Sequence, residues 1–433
     1  MIRQALDRLN IAALNEMQEA AIRAAEKNDV VLLSPTGSGK TLGFLLPVLK
    51  RLKAGEPGVQ ALILVPSREL ALQIESVFRA AGSPFKVNCC YGGHSFRTEL
   101  NNLSHPPAVL IGTPGRIADH LQRESFQTDS VHTLVLDEFD KALELGFQDD
   151  MQYIISKLPG LTRRILTSAT RMDAIPGFAG LADPAELDFL GNGQPVQGLK
   201  EKMVLTSAPD KADALFALLC KVGEQATLVF CNHREAVDRV SEMLYNRGLE
   251  HDVFHGGMEQ EDRERTLIKF RNGSHRLLIT TDLASRGLDI PEIANVIHYQ
   301  LPVTREAYLH RNGRTARMHA RGTSYLILTP EERPKYLEEL PEEEAIPEFP
   351  VLPRESPWVT LYLAAGKKDK VNKVDIVGLL LKKGGLAPED VGRIEVLDKT
   401  AYAAVKRERA ASLLKAVANE KIKNKKINIQ ISR

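Results

Sequence analysis

Short apolar runs alternate with longer amphipathic stretches along the first part of the chain. The stretch 70–80, for example, carries its apolar residues at helical spacing. Buried strands separated by helices are typical of a parallel sheet that is covered on both faces. The pattern therefore predicts an α/β domain over residues 1–196. Its strands are predicted at Val30–Leu33, Leu62–Val65, Val109–Ile111, Leu134–Leu136 and Ile165–Thr167.

A segment rich in Gly, Pro and Asp interrupts this alternation at 183–196 and is predicted to be a linker. The alternation then starts again, so we predict a second α/β domain over 197–335, in tandem with the first. Its strands are predicted at Met203–Thr206, Leu228–Cys231, Val253–His255, Leu277–Thr280, Val296–Tyr299 and Tyr325–Leu328.

The composition changes beyond the second domain. Residues 330–357 hold seven Pro and nine Glu, a composition that buries little apolar surface and keeps the backbone extended. We predict an acidic linker over 336–356. Residues 357–433 follow the order strand, helix, strand, strand, helix, strand, which predicts a small α+β domain of the RRM-like type. Its elements are predicted at Trp358–Ala364, Asp375–Lys382, Arg393–Leu397, Ala401–Val405, Glu408–Ala418 and Ile427–Ile431.

Composition narrows the class of protein. The chain of 433 residues is 43% hydrophobic and 26% charged, and it has no apolar run of about 18 residues, so no membrane span is expected. The N-terminus lacks an apolar signal-peptide core. The four cysteines lack metal-ligand spacing, so we interpret them as reduced structural thiols. We expect a cytosolic monomer without a membrane partner.

Charge is distributed unevenly, although the net charge is only +1. Residues 356–433 hold 17 Lys and Arg against 8 Asp and Glu, whereas residues 1–355 hold 40 against 48. A basic terminal domain indicates a polyanion as ligand. On charge alone, the alternative is a solvated basic surface that binds nothing.

The first apolar strand leads into a glycine-rich loop and then a helix, the context that a phosphate-binding loop requires. Gly37 and Gly39 let the backbone approach phosphate oxygens, while loop amides and the helix N-terminus supply positive potential. Lys40 is placed for the β- and γ-phosphates of ATP, and the Thr41 hydroxyl for Mg²⁺. The loop reads Ser34, Pro35, Thr36, Gly37, Ser38, Gly39, Lys40 and Thr41.

Two further features predict ATP hydrolysis. The apolar strand Leu134–Leu136 ends in Asp137 and Glu138, and the carboxyl end of a parallel strand faces the ligand crevice. Asp137 fits the acid that holds Mg²⁺, and Glu138 fits the base for the attacking water. In the second domain Arg314 and Arg317 share a helix face and could both reach a γ-phosphate, in a site that forms only when the domains close.

These motifs, in this order and spacing, resemble the DEAD-box RNA helicase family through about residue 330. Besides the loop and the acid pair, the resemblance rests on further motifs in both domains. These are Pro66-Ser67-Arg68-Glu69-Leu70-Ala71, Gly92-Gly93, Thr113-Pro114-Gly115-Arg116, Ser168-Ala169-Thr170, Val229-Phe230-Cys231-Asn232, His255-Gly256-Gly257 and the run from Thr280 to Asp289.

The resemblance implies two RecA-like domains, ATP and Mg²⁺ as cofactors, and local opening of RNA duplexes rather than long travel along them. It implies that Gln18 reads adenine and Asp289 contacts ribose, while Ser168 and Thr170 couple hydrolysis to strand separation. The residues that it implies for RNA binding are Pro66, Arg68, Gly92, Gly93, Thr113, Arg116, Asn232, Gln260, Arg263 and Thr280. Arg and Thr side chains and glycine-flanked amides are suitable phosphate and sugar ligands.

The chain departs from the family pattern at several positions. Phe139 stands where the family has Ala, so we expect different packing around this ring. Leu14 and Asn15 replace the Pro and Thr that precede the adenine-reading Gln, which leaves the strictness of the ATP preference open. Gln300 stands where an Asp is usual.

Residues 358–431 resemble the RNA-binding domain of DbpA-type helicases, which implies structured large-subunit ribosomal RNA and ribosomal precursor particles as partners. Only Tyr362 and Tyr402 qualify as stacking rings, fewer than an RRM normally shows. Lysines instead offer point charges for phosphates, so we expect recognition of folded RNA by charge and shape. They are Lys367, Lys368, Lys370, Lys423, Lys425 and Lys426.

Three alternatives to this interpretation stay open. The chain could be a general RNA helicase without ribosomal specificity, a DNA-directed translocase of the same superfamily, or an RNA-binding scaffold without turnover. The acid-pair motif and the Pro66-to-Ala71 motif weigh against the translocase. Intact Lys40, Glu138, Arg314 and Arg317 weigh against the scaffold.

Overall fold

The computed structural model describes residues 2–35, 37–93, 95–172, 174–190, 198–206, 211–282, 293–315, 321–337, 339–423 and 425–432. These residues fall into two units, one ending at 190 and the other beginning at 198. None of the helices in these ranges is long and apolar enough to cross a membrane.

The first unit is built on one parallel sheet of seven strands, in the order β3-β4-β2-β5-β6-β1-β7. All five predicted strands are confirmed to within two residues at each end. The edge strands β3 and β7 are additions, and β7 corrects the prediction that 183–196 is only a linker. The strands are Val30–Leu33 (β1), Ala61–Leu64 (β2), Val87–Cys90 (β3), Val109–Gly112 (β4), Thr133–Leu136 (β5), Arg163–Ser168 (β6) and Ala185–Asp188 (β7).

Strand β1 is buried on both faces. Val30 and Leu32 pack into one core cluster, whereas Val31 and Leu33 pack into another on the opposite face, which also holds Phe139. Because both faces are covered by helices, the central strands are continuous apolar runs. The helices are Ile2–Arg8 (α1), Glu16–Ala25 (α2), Lys40–Arg51 (α3), Arg68–Ala80 (α4), Phe96–Leu103 (α5), Pro114–Gln122 (α6), Phe139–Glu144 (α7) and Gln148–Ser156 (α8).

The second unit begins with a parallel sheet of the same topology, in the order β10-β11-β9-β12-β13-β8-β14. The strands are Leu199–Leu205 (β8), Thr227–Cys231 (β9), Asp252–Phe254 (β10), Leu277–Thr281 (β11), Asn295–His298 (β12), Gly322–Leu328 (β13) and Glu342–Glu343 (β14). The described helices are Ala212–Val222 (α9), Arg234–Asn246 (α10), Gln260–Arg271 (α11) and Arg305–Asn312 (α12). The tandem α/β prediction is therefore confirmed.

The first half of the predicted linker is held to this second sheet rather than standing apart from it. Strand β14 pairs with β8, and Glu344 forms ion pairs with Lys202 and Lys221. Ile346 packs against the core of the sheet. Acidic residues had suggested a solvated linker, but here Glu344 is paired with basic residues of the second domain. The prediction that this part of the chain is only an extended linker is therefore corrected.

The C-terminal domain is a four-stranded antiparallel sheet in the order β16-β17-β15-β20, with two helices against one face. This confirms the small α+β fold, and a short hairpin, β18–β19, is an addition. The strands are Trp358–Leu363 (β15), Val391–Val396 (β16), Ala401–Lys406 (β17), Lys421–Ile422 (β18), Lys425–Lys426 (β19) and Ile429–Ile431 (β20). The helices are Lys373–Gly378 (α13), continued by a π-helical turn over Leu379–Lys383, and Arg407–Val417 (α14).

The other face of this antiparallel sheet packs against the second α/β domain. The buried Thr360 hydroxyl accepts a hydrogen bond from Asn272 Nδ2 at 3.1 Å and lies 2.6 Å from Ser274 Oγ. At the same face Arg271 of α11 forms an ion pair with Glu395 at 3.1 Å. Tyr402 is only 5% exposed. The interface therefore contains buried hydrogen bonds, an ion pair and a covered tyrosine.

This packing changes the interpretation of the two tyrosines. Tyr362 and Tyr402 are register partners on the packed face, with their ring centroids 5.7 Å apart. Burial raises the pKa of Tyr402. The sequence suggested these two tyrosines as the candidate stacking rings for RNA bases. Because Tyr402 is covered, the pair does not form an open stacking platform.

We predict that Thr360→Val loosens the C-terminal domain from the second α/β domain. The isosteric change leaves Asn272 and Ser274 buried without their partner, at a cost of about 1–3 kcal/mol. Hydrogen–deuterium exchange of segments 272–276 and 358–363 should rise together in the variant. Unchanged exchange in both segments would show that the hydrogen bonds do not hold this interface.

Candidate ATPase and RNA-binding sites

The phosphate loop lies between β1 and α3, at the carboxyl edge of the first sheet. Gly37 and Gly39 have φ values of 85° and 89°, a left-handed conformation that glycine adopts without strain. The Ser34 amide donates to the Ser168 carbonyl at 3.0 Å, and the hydroxyls of Ser34 and Ser38 are 2.6 Å apart. The loop is therefore tied to the end of β6. Thr36 lies outside the described residues.

The N-terminus of α2 contacts this loop. Gln18 and Asn15 form a reciprocal capping box, as their spacing allows. Gln18 Nε2 donates to the Gly39 carbonyl at 3.2 Å, and Asn15 Nδ2 donates to the Ser38 carbonyl at 3.0 Å. Both side chains therefore support the phosphate loop, and adenine reading by Gln18 stays a prediction.

Asp137 and Glu138 follow β5 on the same edge. The buried Asp137 carboxylate accepts hydrogen bonds from the Thr167 hydroxyl and, at 3.1 Å, from the Glu138 amide. Burial and the neighbouring Glu138 charge raise the pKa of Asp137 to about 6, while Lys40 opposes this rise. Lys40 is itself buried. The loop lysine and the first acid therefore lie close enough to interact electrostatically, while their roles toward phosphate and Mg²⁺ stay predictions.

Glu138 has an unusual backbone conformation for a residue with a side chain. Its φ is 47°, in the left-handed region, which costs a non-glycine residue about 1–3 kcal/mol. Glu138 Oε2 is buried and has no hydrogen-bond partner among the described residues. A strained backbone that presents a carboxylate oxygen free to accept a proton fits the predicted base.

The third acid of the motif, Asp140, links it to the predicted coupling element. Thr170 Oγ1 donates to Asp140 Oδ2 at 2.8 Å. Ser168 Oγ bridges to the backbone of Thr170, donating to its carbonyl at 2.7 Å and accepting from its amide at 3.1 Å. Ser168 and Thr170 thus connect the acid motif with the end of β6. Phe139 is fully buried, and its ring centroid lies 6.0 Å from that of Phe178; a difference from the family's packing stays a prediction.

Three ATP-site predictions fall in the second half of the chain. Arg314 is buried just after α12. Arg317 and Asp289 lie outside the described residues. All three roles stay predictions.

The predicted RNA-binding motifs of the first domain lie at neighbouring strand ends. Pro66 follows β2, and Arg68 opens α4, whose N-terminus is capped by Ser67. The Arg68 guanidinium lies against Gly92 and Gly93, the two residues that follow Tyr91 after β3. A Cβ atom at Gly93 would lie 2.4 Å from Arg68 Nη1. The glycine pair thus allows close approach of an arginine.

Thr113 and Arg116 form the start of α6, after β4. Thr113 is the N-cap residue, and its amide donates to the Cys90 carbonyl on β3 at 3.2 Å. Arg116 Nε donates to Glu99 Oε2 at 2.8 Å. The sequence did not mark Glu99, because one acid on an amphipathic helix has no distinguishing pattern.

Glu99 also belongs to a buried group with Cys90 and His120 whose ligand atoms lie within 4.8 Å of one another. Each Glu99 oxygen already accepts an N–H hydrogen bond, one from Tyr91 and the other from Arg116. Burial raises the pKa of Cys90, which disfavours the thiolate that a metal requires. We therefore interpret the group as a hydrogen-bond network, consistent with structural thiols.

In the second domain, Arg311 joins the predicted RNA-binding Asn232 to neighbouring strands. Its guanidinium donates to both oxygens of Asp282, at 2.6 and 2.7 Å, and to Asn232 Oδ1 at 2.7 Å. Gln300 Oε1 accepts a hydrogen bond from the Asn232 amide at 2.8 Å. Gln300 therefore belongs to this hydrogen-bond network, although the family usually has Asp at this position. Sequence reasoning did not single out Arg311.

The other predicted RNA-binding residues of this domain have different environments. Thr280 is fully buried, and its hydroxyl donates to the Phe254 carbonyl at 2.8 Å. Direct RNA contact by Thr280 stays a prediction. Arg263 lies over the Phe254 ring at 5.1 Å, and Gln260 is the first residue of α11. Their RNA contacts stay predictions.

The six predicted lysines of the C-terminal domain lie on two segments that approach each other, and all six are exposed. Lys425 of β19 forms an ion pair with Asp369 at 2.7 Å, which brings the hairpin next to the turn 367–370. Lys423 forms an ion pair with Asp375 at 3.2 Å. We call these six residues the lysine patch, and it gathers the positive charge expected of a phosphate-binding surface.

We predict that Gly93→Ala weakens RNA binding about tenfold, since a Cβ atom strains the backbone and displaces Arg68. RNA affinity would be measured by fluorescence anisotropy with labelled single-stranded RNA. Gly55→Ala is the matched control, because Gly55 has a φ of 80° and open space around its Cβ position. Equal losses of RNA affinity in the two variants would contradict the idea that RNA binding depends on the close approach of Arg68 to Gly93.

Comparison with known protein families agrees with this geometry over all three domains. The DEAD/DEAH box helicase model matches residues 15–175, the helicase conserved C-terminal domain model matches 210–319, and the DbpA RNA binding domain model matches 360–431. Among solved structures, the chain is similar to Dbp5 of S. cerevisiae bound to RNA and ADP BeF3. The TM-score is 0.69 at 27% identity, covering 76% of this chain and 87% of that one.

Curated relatives match almost the whole chain. The ATP-dependent RNA helicase DbpA of Escherichia coli is 32% identical, over 98% of this chain and 96% of its own length. The protein of the same name from Bacillus subtilis is 30% identical, over 99% and 96% respectively. The chain therefore belongs to the DEAD-box ATP-dependent RNA helicases, with a C-terminal RNA-binding domain of the DbpA type.

Proposed function

We propose that this helicase uses ATP hydrolysis to open or remodel structured RNA in the large ribosomal subunit during assembly of ribosomal precursor particles. The observation that carries the proposal is the connection between the acid motif and the coupling element. Asp140, the last acid of the motif, accepts a hydrogen bond from Thr170, and the Ser168 carbonyl accepts one from the Ser34 amide of the phosphate loop. A change at the γ-phosphate would therefore reach the end of β6 through directly bonded groups.

Glu138 is the proposed base for the attacking water. Its buried carboxylate oxygen has unused acceptor capacity among the described residues, and general-base catalysis requires a positioned acceptor. Lys40 would hold the β- and γ-phosphates, with the glycine loop amides around them. Arg314 and Arg317 stay proposed as the residues that neutralise charge developing on the γ-phosphate.

Mg²⁺ fits the residues at the carboxyl edge of the first sheet. Thr41 and Asp137 supply the hydroxyl and carboxylate oxygens that this cation prefers. The pKa of Asp137, raised by burial and by the Glu138 charge, indicates a site where added positive charge would be stabilising. When bound, Mg²⁺ would neutralise charge on the β- and γ-phosphate oxygens.

Selection of ribosomal RNA is assigned to the lysine patch. Tyr402 is covered by the second domain, so base stacking on that face cannot supply specificity. Exposed lysines on two converging segments suit the phosphates of a folded RNA. The DbpA RNA binding domain model matches this part of the chain, which supports RNA as the ligand of the patch.

ATPase stimulation tests the proposed target against the alternatives. Large-subunit ribosomal RNA should stimulate hydrolysis at lower concentration than an unrelated structured RNA of equal length, and DNA should not stimulate. Equal stimulation by both RNAs would indicate a general RNA helicase, while stimulation by DNA would favour a translocase. In cells, crosslinking followed by sequencing of the attached RNA would identify the target directly.

We predict that Glu138→Gln lowers RNA-stimulated ATP hydrolysis about 10²–10⁴-fold, because the amide cannot accept the proton of the attacking water. ATP binding, followed with a fluorescent analogue, should persist. Glu144→Gln, at the end of the helix that follows Glu138, is the control, since Glu144 forms an ion pair with Lys141 and its side chain is half exposed. Hydrolysis by the Glu138 variant at the control's rate would refute the assigned base.

We predict that replacing Lys367, Lys368 and Lys426 together by Gln reduces the salt dependence of RNA affinity. Each lost phosphate contact removes roughly 0.7–0.9 from the logarithmic salt slope, so the slope should fall by about 2. Lys27, Lys157 and Lys335, replaced together by Gln, make a charge-matched control outside the patch. A slope that stays at the control's value would exclude the patch as a phosphate contact.

A further inference from the structure

We propose that Glu99 is a positioning residue for RNA binding by the first domain, and that it acts through Arg116. The inference rests on the proposed RNA-binding role of the motifs around it, and it adds a residue outside them. Glu99 is on α5, its side chain is 0% exposed, and it therefore touches no RNA itself.

The Glu99 carboxylate joins two of the predicted RNA-binding segments. Oε1 accepts a hydrogen bond from the Tyr91 amide at 3.1 Å, immediately before Gly92 and Gly93. Oε2 accepts from Arg116 Nε at 2.8 Å, in the segment that begins at Thr113. One buried carboxylate thus fixes the distance between the glycine pair and the arginine.

The two segments also leave neighbouring strands. Cys90 at the end of β3 pairs with Gly112 at the end of β4, so the backbone sets their starting points. The backbone pairing does not fix the direction in which the Arg116 side chain points from the first turn of α6. Glu99 supplies that constraint, since a charge-assisted hydrogen bond to Nε fixes one edge of the planar guanidinium.

Further contacts hold Arg116 and Glu99 in this arrangement. His120 Nε2 lies 2.9 Å from Glu99 Oε2, and the His120 ring stacks on Phe96 at 4.5 Å. The Arg116 guanidinium also lies over the Phe96 ring, 5.3 Å from its centroid. The Arg116 side chain keeps 15% of its surface exposed. The guanidinium is therefore held by buried partners but remains accessible to solvent.

A buried carboxylate needs these partners, because an uncompensated charge in the interior is strongly destabilising. Glutamine has the same shape but only one acceptor oxygen. Whichever way its amide is turned, either the Tyr91 amide or Arg116 Nε would face an NH₂ group. Glu99→Gln therefore disturbs the two contacts while leaving the packing volume unchanged.

The test compares Glu99→Gln, Arg116→Lys and the double variant in the full chain. Labelled single-stranded RNA is titrated with each protein in the presence of a non-hydrolysable ATP analogue, and RNA-stimulated ATPase is measured in parallel. Glu75→Gln is the matched control, because Glu75 forms an ion pair with Arg79 on α4 at 2.6 Å, with the arginine well exposed. Thermal unfolding reports whether each variant is folded.

We expect Glu99→Gln and Arg116→Lys each to weaken RNA binding about tenfold, with the RNA concentration for half-maximal ATPase rising in parallel and kcat at saturating RNA falling less than twofold. The double variant should be no weaker than either single variant, because both changes break one interaction. Glu75→Gln should bind RNA as the unmodified protein does.

Other results overturn the proposal. Unchanged RNA affinity of Glu99→Gln, or losses that multiply in the double variant, would show that Glu99 does not act through Arg116. If Glu99→Gln does not fold, Arg116→Lys decides, because retained affinity would mean that charge alone matters at this position. Failure of RNA to stimulate the unmodified protein's ATPase would instead count against the proposed function, since the binding titrations need no hydrolysis.

Discussion

The hydrogen bonds at the carboxyl end of β6 are the constraint on which the first domain's chemistry depends. Thr167 holds the Asp137 carboxylate of the neighbouring strand, and the next residue, Ser168, accepts the Ser34 amide of the phosphate loop. Ser168 also binds Thr170, which reaches Asp140. Because β6 lies between β5 and β1 in the sheet, one strand positions the loop, the acids and the coupling element.

Local motifs made this part of the site predictable from sequence. A phosphate loop needs only a strand, a glycine-rich turn and a helix in succession, and the acid pair needs only an apolar strand before it. The same reasoning found every central strand. It missed β3 and β7 because these edge strands are only partly buried and lack a continuous apolar run, and it missed β14 because its residues are acidic.

Long-range contacts account for what sequence reasoning did not find. Arg311 bonds to Asn232, 79 residues away, and Glu99 bonds to Arg116, 17 residues away on another helix. Nothing in their local sequence distinguishes them from surface charges. Burial in the fold is what gives each of them its role. Likewise, Thr280 belongs to a family motif and is fully buried, a placement that its local sequence does not reveal.

The C-terminal domain shows why few aromatic residues are needed on its sheet. The face that carries Tyr362 and Tyr402 packs on the second α/β domain, where Thr360 and Glu395 bond to the loop and helix below. Because this face is used for packing, it has no need of stacking rings, and the exposed lysines lie elsewhere on the domain. The domain uses its sheet for attachment, and the lysine patch is the surface that we propose for RNA.

The central claim is that ATP hydrolysis by this chain is coupled to opening of structured ribosomal RNA. Its most direct test is strand displacement from a short RNA duplex joined to a folded fragment of large-subunit ribosomal RNA. The account predicts strand release that requires hydrolysable ATP and that is faster than from the same duplex joined to an unrelated hairpin. Equal rates without ATP, or no release from either substrate while ATP is consumed, would contradict it.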